Sequence, residues 1–361
     1  MSTNQELIKV TVDGIQVEVP QGTTILQAAR KIGPEVAPPA MCYYKPLEKS
    51  GGKCRACLVK VAQGSERDPR PMPKLVASCI TPAQDGMVVE NYINEEVLEA
   101  RKGVVEFLLI NHPLDCPVCD QAGECHLQDF SFKHGTESQR FEEDRRTFEP
   151  ENIGPYVQLH MNRCILCYRC VHTADQITDK RVHGVMHRGD HAEISTYINN
   201  AIDNDFSGNV IDVCPVGALT DKTYRFKNRV WFSKPVDAHR DCEKCSGKVH
   251  LWYKGEEVIR VTGRKNQWGE VDEFICNTCR FDKKETQDWT IEGPTQVSRH
   301  SVVSANKYRK DLIKPEFGIK YAATHYKNID DSRPYNKNLK EIKASEDYKI
   351  LMEKNESYFK K

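Results

Sequence analysis

Residues 111–125 read Asn111-His112-Pro113-Leu114-Asp115-Cys116-Pro117-Val118-Cys119-Asp120-Gln121-Ala122-Gly123-Glu124-Cys125. A cubane [4Fe–4S] cluster takes four protein ligands, and three cysteines leave it one short. His112, four positions ahead of Cys116, is the nearest donor able to make up the set. A histidine at the end of a helix also has a plainer use, bonding the last helical carbonyls.

Outward from this stretch, the cysteines cluster. Upstream lies Cys42-x11-Cys54-x2-Cys57-x21-Cys79, and downstream Cys164-x2-Cys167-x2-Cys170 with a distant Cys214. Cys242, Cys245, Cys276 and Cys279 close the series, and the four groups use all 15 cysteines of the 361-residue chain. An odd total and the lack of a basic-then-apolar leader in MSTNQELIKV point to reduced thiols, so CxxC pairs read as metal ligands rather than disulfides. No apolar run approaches the roughly 18 residues of a membrane span. Zero formal net charge gives no sign of nucleic-acid binding. Several redox centres in one chain are most simply an electron conductor.

Local patterns place the groups on a mixed framework, and the expected class is α+β. Leu7–Val12 and Ile15–Val19 alternate about Asp13-Gly14, a hairpin signal. Thr24-Ile-Leu-Gln27 is a capping box opening a helix towards Gly33. Asn94 caps a second helix with an apolar stripe of Val97, Leu98, Val104, Val105, Leu108 and Leu109, which delivers the chain to His112. Small residues in GGKCRAC let backbone amides approach the sulfurs around Cys54 and Cys57. With only one CxxC-like triplet near residue 164, Cys214 is expected to close the same cubane as Cys164, Cys167 and Cys170. The insert carrying Gly184, Gly189 and Gly208 is expected to be loop and short strand. There is no phosphate-cradling GxGxxG after a strand, so no nucleotide site and no catalytic residue is expected. His160, His172, His183, His187 and His191 are scattered through a loop-rich stretch and lack the convergent partners of a metal site.

The Cys42–Cys79 spacing resembles the plant-type [2Fe–2S] ferredoxins, with the longer first interval of respiratory and hydrogenase members. The 111–125 stretch resembles an unusual [4Fe–4S] motif with one histidine and three cysteines. Together, residues 5 to about 235 resemble the N-terminal half of the large iron–sulfur (75-kDa or G) subunits of respiratory complex I. Related three-cluster modules occur in NAD-linked formate dehydrogenases and hydrogenases. The resemblance implies one [2Fe–2S] and two [4Fe–4S] clusters. The implied ligands are Cys42, Cys54, Cys57 and Cys79; His112, Cys116, Cys119 and Cys125; and Cys164, Cys167, Cys170 and Cys214. It further implies electron relay from an NADH/flavin module towards quinone, with the flavin/NADH-binding subunit and downstream iron–sulfur subunits as partners. The alternative is a diaphorase-type subunit of a soluble hydrogenase or formate dehydrogenase. The implied location is peripheral, on the cytoplasmic side of the inner membrane within the hydrophilic arm. The relatives continue into a molybdopterin-type domain, which this chain is expected to lack.

The implied layout is a β-grasp [2Fe–2S] domain over 1–95, a helical one-His, three-Cys segment over 96–135, and a ferredoxin-like [4Fe–4S] domain over 136–235. A small β-rich four-Cys domain follows over 236–294, then an extended tail over 295–361. At Cys242, Cys245, Cys276 and Cys279 two readings stay open. Bacterial relatives carry a CxxCxxxC cluster motif here, but its third position falls on Val249. Two CxxC knuckles also describe a closed zinc site. His250 has two readings, an ordinary strand residue, which is the expectation, or a spare ligand. Either way this site is expected to be structural or off the electron path. Residues 301–361 hold 14 Lys/Arg, 9 Asp/Glu and six tyrosines, with helical rhythm at 339–353, and are expected to dock on partner subunits.

Overall fold

In the computed structural model, residues 6–136, 139–142, 144–177, 182–197 and 201–295 are described. The expected tail beyond residue 295, with its 339–353 helix, lies outside these residues. The first elements follow the hairpin signal. Strands β1 (Leu7–Val12) and β2 (Ile15–Pro20) pair antiparallel. Asp13 and Gly14 turn the chain with φ of 48° and 81°, the left-handed pair that a two-residue hairpin demands. The Asp13 carboxylate also accepts the amides of Asn91 (2.6 Å) and Tyr92 (2.9 Å), pinning the turn to distant chain.

Helix α1 (Ile25–Ile32) starts with both halves of the Thr24/Gln27 capping box formed and ends at Gly33. A box of this kind stabilises a helix start by about 1 kcal/mol. Strands β3 (Leu58–Gln63), β4 (Val76–Ala77) and β5 (Met87–Glu90) complete a sheet of order β2-β1-β5-β3-β4. Here β5 runs parallel to β1 and antiparallel to β3. Alternate residues Val10, Val12, Val59, Val61, Met87 and Val89 point to one face and pack with Ile25, Ala28 and Ala29 of α1.

Helix α2 (Glu95–Leu109) begins at Asn94, whose side chain accepts the Val97 amide. Its burial differs from the expected stripe. Val97 and Val105 are buried, but so are Arg101 and Glu106, while Leu98, Val104, Leu108 and Leu109 are half-buried. Arg101 donates through Nη2 to the Leu58 carbonyl and the Asn91 side chain and lies over the Tyr92 ring. These contacts offset part of its desolvation, while its Nε and Nη1 are buried without a hydrogen-bond partner among the described residues.

Beyond α2 come α3 (His126–His134), β6 (Glu151–Asn152), β7 (Val157–Leu159) and α4 (Arg169–Ile177). The strands β8 (His183–Met186) and β9 (Glu193–Thr196) form a separate hairpin. Helix α5 (Asn209–Val213) leads through Cys214 to β10 (Leu219–Asp221), which pairs with β7. The insert expected as loop and short strand thus carries two helices as well. Last, β11 (Lys234–His239), β12 (Val249–Lys254), β13 (Glu257–Gly263) and β14 (Thr290–Pro294) form a sheet of order β13-β12-β11-β14. A single apolar cluster joins Met41, Cys42 and Cys54 to Val105, Leu127, Leu159, Val171 and Val216. The first cysteine loop is therefore packed into the middle of the fold.

Candidate metal centres

Cys42, Cys54, Cys57 and Cys79 are all buried. The Gly51–Arg55 loop wraps them through left-handed backbone at Gly51 (φ 110°), Gly52 (73°) and Arg55 (60°). That path aims amides at sulfur: Gly52 donates to Cys79 Sγ at 3.2 Å, and Lys53 and Cys54 donate to Cys42 Sγ at 3.3 and 3.4 Å. Contacts with the Cys54 and Cys79 thiols, joined by those amides, hold Cys42 down at about 2. Contact with Cys79 holds Cys57 at about 7, whereas Cys54 and Cys79 are pushed far up by the same thiol contacts and by burial. Four thiolates so placed need a cation among them to ionise together.

His112, Cys116, Cys119 and Cys125 line one cavity of about 480 Å³, with Val105, Leu109, Leu127 and Gly217 among its other walls. The backbone of His112 donates to the Leu109 carbonyl at 3.1 Å, so main chain closes the end of α2. Its Nδ1 is buried with no hydrogen-bond partner among the described residues. Burial, with Arg163 nearby, lowers the imidazole to about 4, leaving it neutral and able to donate a lone pair. Arg163 is itself fixed by the Asp115 carboxylate at 2.8 Å.

Cys164, Cys167, Cys170 and Cys214 surround a second, apolar void with Leu159, Ile194, Val216 and Leu219. Burial raises all four thiols, Cys167 to about 12. Leu166 and Tyr168 take left-handed backbone (φ 50° and 64°), and the Leu166 amide turns to Cys164 Sγ at 3.3 Å. Amides of Val216, Leu219 and Ala218 face Cys214 and favour its thiolate.

The three sites are contiguous. Arg169, buried between the first and third, donates to the carbonyls of Tyr43 (2.7 Å), Ala40 (3.2 Å) and Val213 (3.3 Å). Lys53 reaches across the same gap to His172 at 3.2 Å. On the other side, Cys214-Pro215-Val216-Gly217 runs from the third site to the second. His126 donates to the Pro215 carbonyl at 3.0 Å, and a Cβ on Gly217 would stand 2.1 Å from Cys119 Sγ.

Cys242, Cys245, Cys276 and Cys279 also converge, with all four sulfurs within 4.8 Å of one another. Among the described residues no other group of cysteine, histidine and carboxylate ligand atoms is that compact. His250 is not a spare ligand. Its Nδ1 pairs with Asp237 at 2.8 Å and its Nε2 accepts the Lys265 amide at 3.0 Å. The other histidines stay apart, His183 against the Cys170 carbonyl (3.0 Å) and His187 near Glu193 (3.7 Å). Arg169 and Gly217 were not evident in the sequence; their roles depend on partners 44 to 129 positions away in one case and on a close approach in the other.

Three family models match in series. Residues 5–92 match a 2Fe-2S iron-sulfur cluster binding domain, and residues 101–140 the NADH-ubiquinone oxidoreductase-G iron-sulfur binding region. Residues 154–220 match the ferredoxin-like domain of NADH-quinone oxidoreductase subunit 3. The G subunit of NADH-quinone oxidoreductase from Rickettsia bellii is 40% identical over 304 residues, 83% of this chain and 42% of the relative. The chain belongs to the G / 75 kDa iron–sulfur subunit family. The 75 kDa subunit of Reclinomonas americana is 42% identical over 276 residues, covering 76% of this chain and 38% of that one. The mitochondrial iron-sulfur protein 1 of Solanum tuberosum is 42% identical over 277 residues, 77% and 36%. The chain thus spans about two fifths of these relatives' length. A solved NAD+-reducing [NiFe]-hydrogenase in the H2-reduced state is similar at 25% identity with a TM-score of 0.53, covering 62% of this chain and 91% of that one. The donor sets fit the [2Fe–2S] and [4Fe–4S] groups that these domain families bind. Thiols touch one another at the first site, and the donors of the second and third each line one cavity. Amides face sulfur at the first and third, and the buried His112 Nδ1 is otherwise without a bond among the described residues.

Proposed function

We propose that this chain is an electron-relay subunit of an NADH:quinone oxidoreductase, passing electrons from an NADH/flavin subunit towards quinone. The observation that carries the reading is the contiguity of three cluster-type donor sets in the order first, third, second. The first is joined to the third through Arg169, and the third to the second through residues 214–217. The ligands are Cys42, Cys54, Cys57 and Cys79 for [2Fe–2S]; Cys164, Cys167, Cys170 and Cys214 for one [4Fe–4S]; and His112, Cys116, Cys119 and Cys125 for the other. Bound iron–sulfur clusters supply reversible one-electron transfer at potentials tuned by charge, hydrogen bonds and burial.

The chain's own residues do the rest. Amides of Gly52, Lys53 and Cys54 stabilise thiolate charge at the first site. Leu159, Ile194, Val216 and Leu219 keep the third site dry. Neutral His112 puts one less negative charge on the second. Arg169 locks the first and third loops at fixed separation, which matters because transfer between centres falls steeply with distance.

The layout follows as a [2Fe–2S] domain over 1–95, a His-ligated segment over 96–135, a [4Fe–4S] domain over 136–235 and a four-Cys domain over 236–294. Residues 295–361, rich in tyrosine and lysine, dock on partner subunits. No described helix is long and apolar enough to cross a membrane; the relay reading places the chain peripherally, on the cytoplasmic side of the inner membrane in the hydrophilic arm. The hydrogenase likeness supports a second reading, a diaphorase-type subunit. Anaerobic affinity purification from native cells separates them. Flavin/NADH-binding and quinone-linked membrane subunits should come with the chain. A hydrogen- or formate-oxidising subunit in their place would favour the second reading.

A further inference from the structure

The four-cysteine site beyond the relay has a geometry of its own. Cys242 and Cys245 follow β11, while Cys276 and Cys279 lie just after Ile275, which packs with Ala238, Val249 and Leu251 of the same sheet. Cys242 Sγ stands 3.7 Å from Cys276 Sγ, Cys245 Sγ stands 3.7 Å from Cys279 Sγ, and no pair in the set exceeds 4.8 Å. Four thiolates on one tetrahedral ion with bonds of about 2.3 Å have sulfurs about 3.8 Å apart. A cubane instead seats each thiolate on a separate iron corner, so an iron–iron edge and the outward splay of the bonds come between the sulfurs. The sulfurs here are too close for that.

The surroundings agree. The Cys279 amide faces Cys276 Sγ at 3.5 Å, as a CxxC knuckle closing on one ion would place it. Arg240 reaches Cys279 Sγ at 3.8 Å and offsets part of the negative charge of four thiolates. The missing third ligand of the bacterial cluster motif, Val249, is fully buried in β12 and packs in the apolar cluster around the site. For a given set of ligands zinc outranks ferrous iron in affinity, and four soft thiolates suit it.

We propose that Cys242, Cys245, Cys276 and Cys279 hold a single zinc ion, not a cluster, and that this ion braces the segment presenting Cys214. The second knuckle is bonded into residues 204–212. The Asn277 side chain accepts the Gly208 amide (2.9 Å) and donates to the Asn204 carbonyl (2.9 Å) and Ser207 Oγ (2.9 Å). Asn209 exchanges two bonds with the Ile275 backbone, at 2.8 and 3.1 Å. Arg280 pairs with buried Asp212. The ion thus anchors the final sheet to the knuckle that grips α5, directly before Cys214. It needs no redox change to do so.

The test is zinc and iron per chain in the anaerobically purified full-length protein, compared with Cys242→Ser/Cys245→Ser in the same preparation, together with zinc X-ray absorption on the wild type. The expected result is loss of the one zinc per chain, alone or together with the four irons of the centre whose Cys214 segment the ion braces, and a wild-type zinc shell of four sulfurs near 2.3 Å. Loss of iron with no zinc lost, or loss of no metal, would overturn it. If the double variant is not recovered, the wild-type spectrum decides, since absent zinc or a shell with nitrogen or oxygen contradicts the proposal. Failure of the relay reading would show in the wild-type iron count and leave the zinc readout intact.

Discussion

Replacing Gly217 with alanine should evict iron from the His112 site and spare the first site. The added Cβ would lie 2.1 Å from Cys119 Sγ and 3.2 Å from the Gln121 Cβ. Ordinary contact begins at 3.4 Å, so the sulfur must retreat by about 1.3 Å, more than half the length of a metal–thiolate bond of about 2.3 Å. A free thiol would simply rotate, at a cost of about 1 kcal/mol for a displaced rotamer. A thiolate fixed to a cluster corner has no such freedom, and overpacking of about 1–3 kcal/mol then falls on the ligand bond. Gly217 does not have positive φ, so alanine meets no backbone objection and the effect belongs to the contact alone. The assay is iron and acid-labile sulfide per chain, with electron paramagnetic resonance of the dithionite-reduced protein. About ten irons should fall to about six, the content of one [2Fe–2S] and one [4Fe–4S], with the [2Fe–2S] spectrum unchanged. Retention of all ten irons with a superposable spectrum would mean that Cys119 does not hold iron against Gly217.

Three further expectations follow from the same geometry. His112→Cys should keep its four irons but lower that cluster's reduction potential in a redox titration, because a thiolate adds a negative charge; an unchanged potential would remove His112 from the ligand set. Burial holds folded His112 at about 4 against about 6.5 in an unfolded chain, so the unfolded state takes up the proton first. The stability this contributes is present above pH 6.5 and drains away as pH falls from 6.5 towards 4. In urea titrations of the iron-depleted chain, His112→Gln should flatten that slope, and an equally steep slope in the variant would contradict it. Arg169→Met removes three charge-assisted bonds to the Tyr43, Ala40 and Val213 carbonyls and should cost about 3 kcal/mol or more. Amide exchange should quicken both at residues 40–44 and at 213–216. Quickening confined to α4 would mean that Arg169 does not couple the two loops.

The local chemistry of this chain was readable because it rests on short-range rules. Asp13-Gly14, the Thr24/Gln27 box and the Asn94 cap each settle a few residues by their own bonding, and each sits where those rules put it. The cysteine groups were legible because metal ligation leaves a spacing in the sequence. What escaped depends on tertiary contact. Arg169, beside Cys170, looks like any surface charge until the carbonyls of residues 40, 43 and 213 surround it. Arg101 and Glu106 take buried places on α2 because a partner side chain meets each, Asn91 for one and Arg140 at 2.5 Å for the other, which an apolar stripe cannot foretell. Gly217 reads as part of a turn, and only the approach of Cys119 makes its missing side chain necessary. At Cys242–Cys279 the spacing suited two metals, and sulfur–sulfur distance separates them.

Three iron–sulfur centres in series within this chain would show first in iron and acid-labile sulfide per chain, with electron paramagnetic resonance, on the anaerobically purified full-length protein, corrected for any partner that co-purifies. The expected result is about ten irons, with signals of one [2Fe–2S] and two [4Fe–4S] centres. A colourless protein carrying zinc at Cys42–Cys79 and Cys164–Cys214 would contradict it.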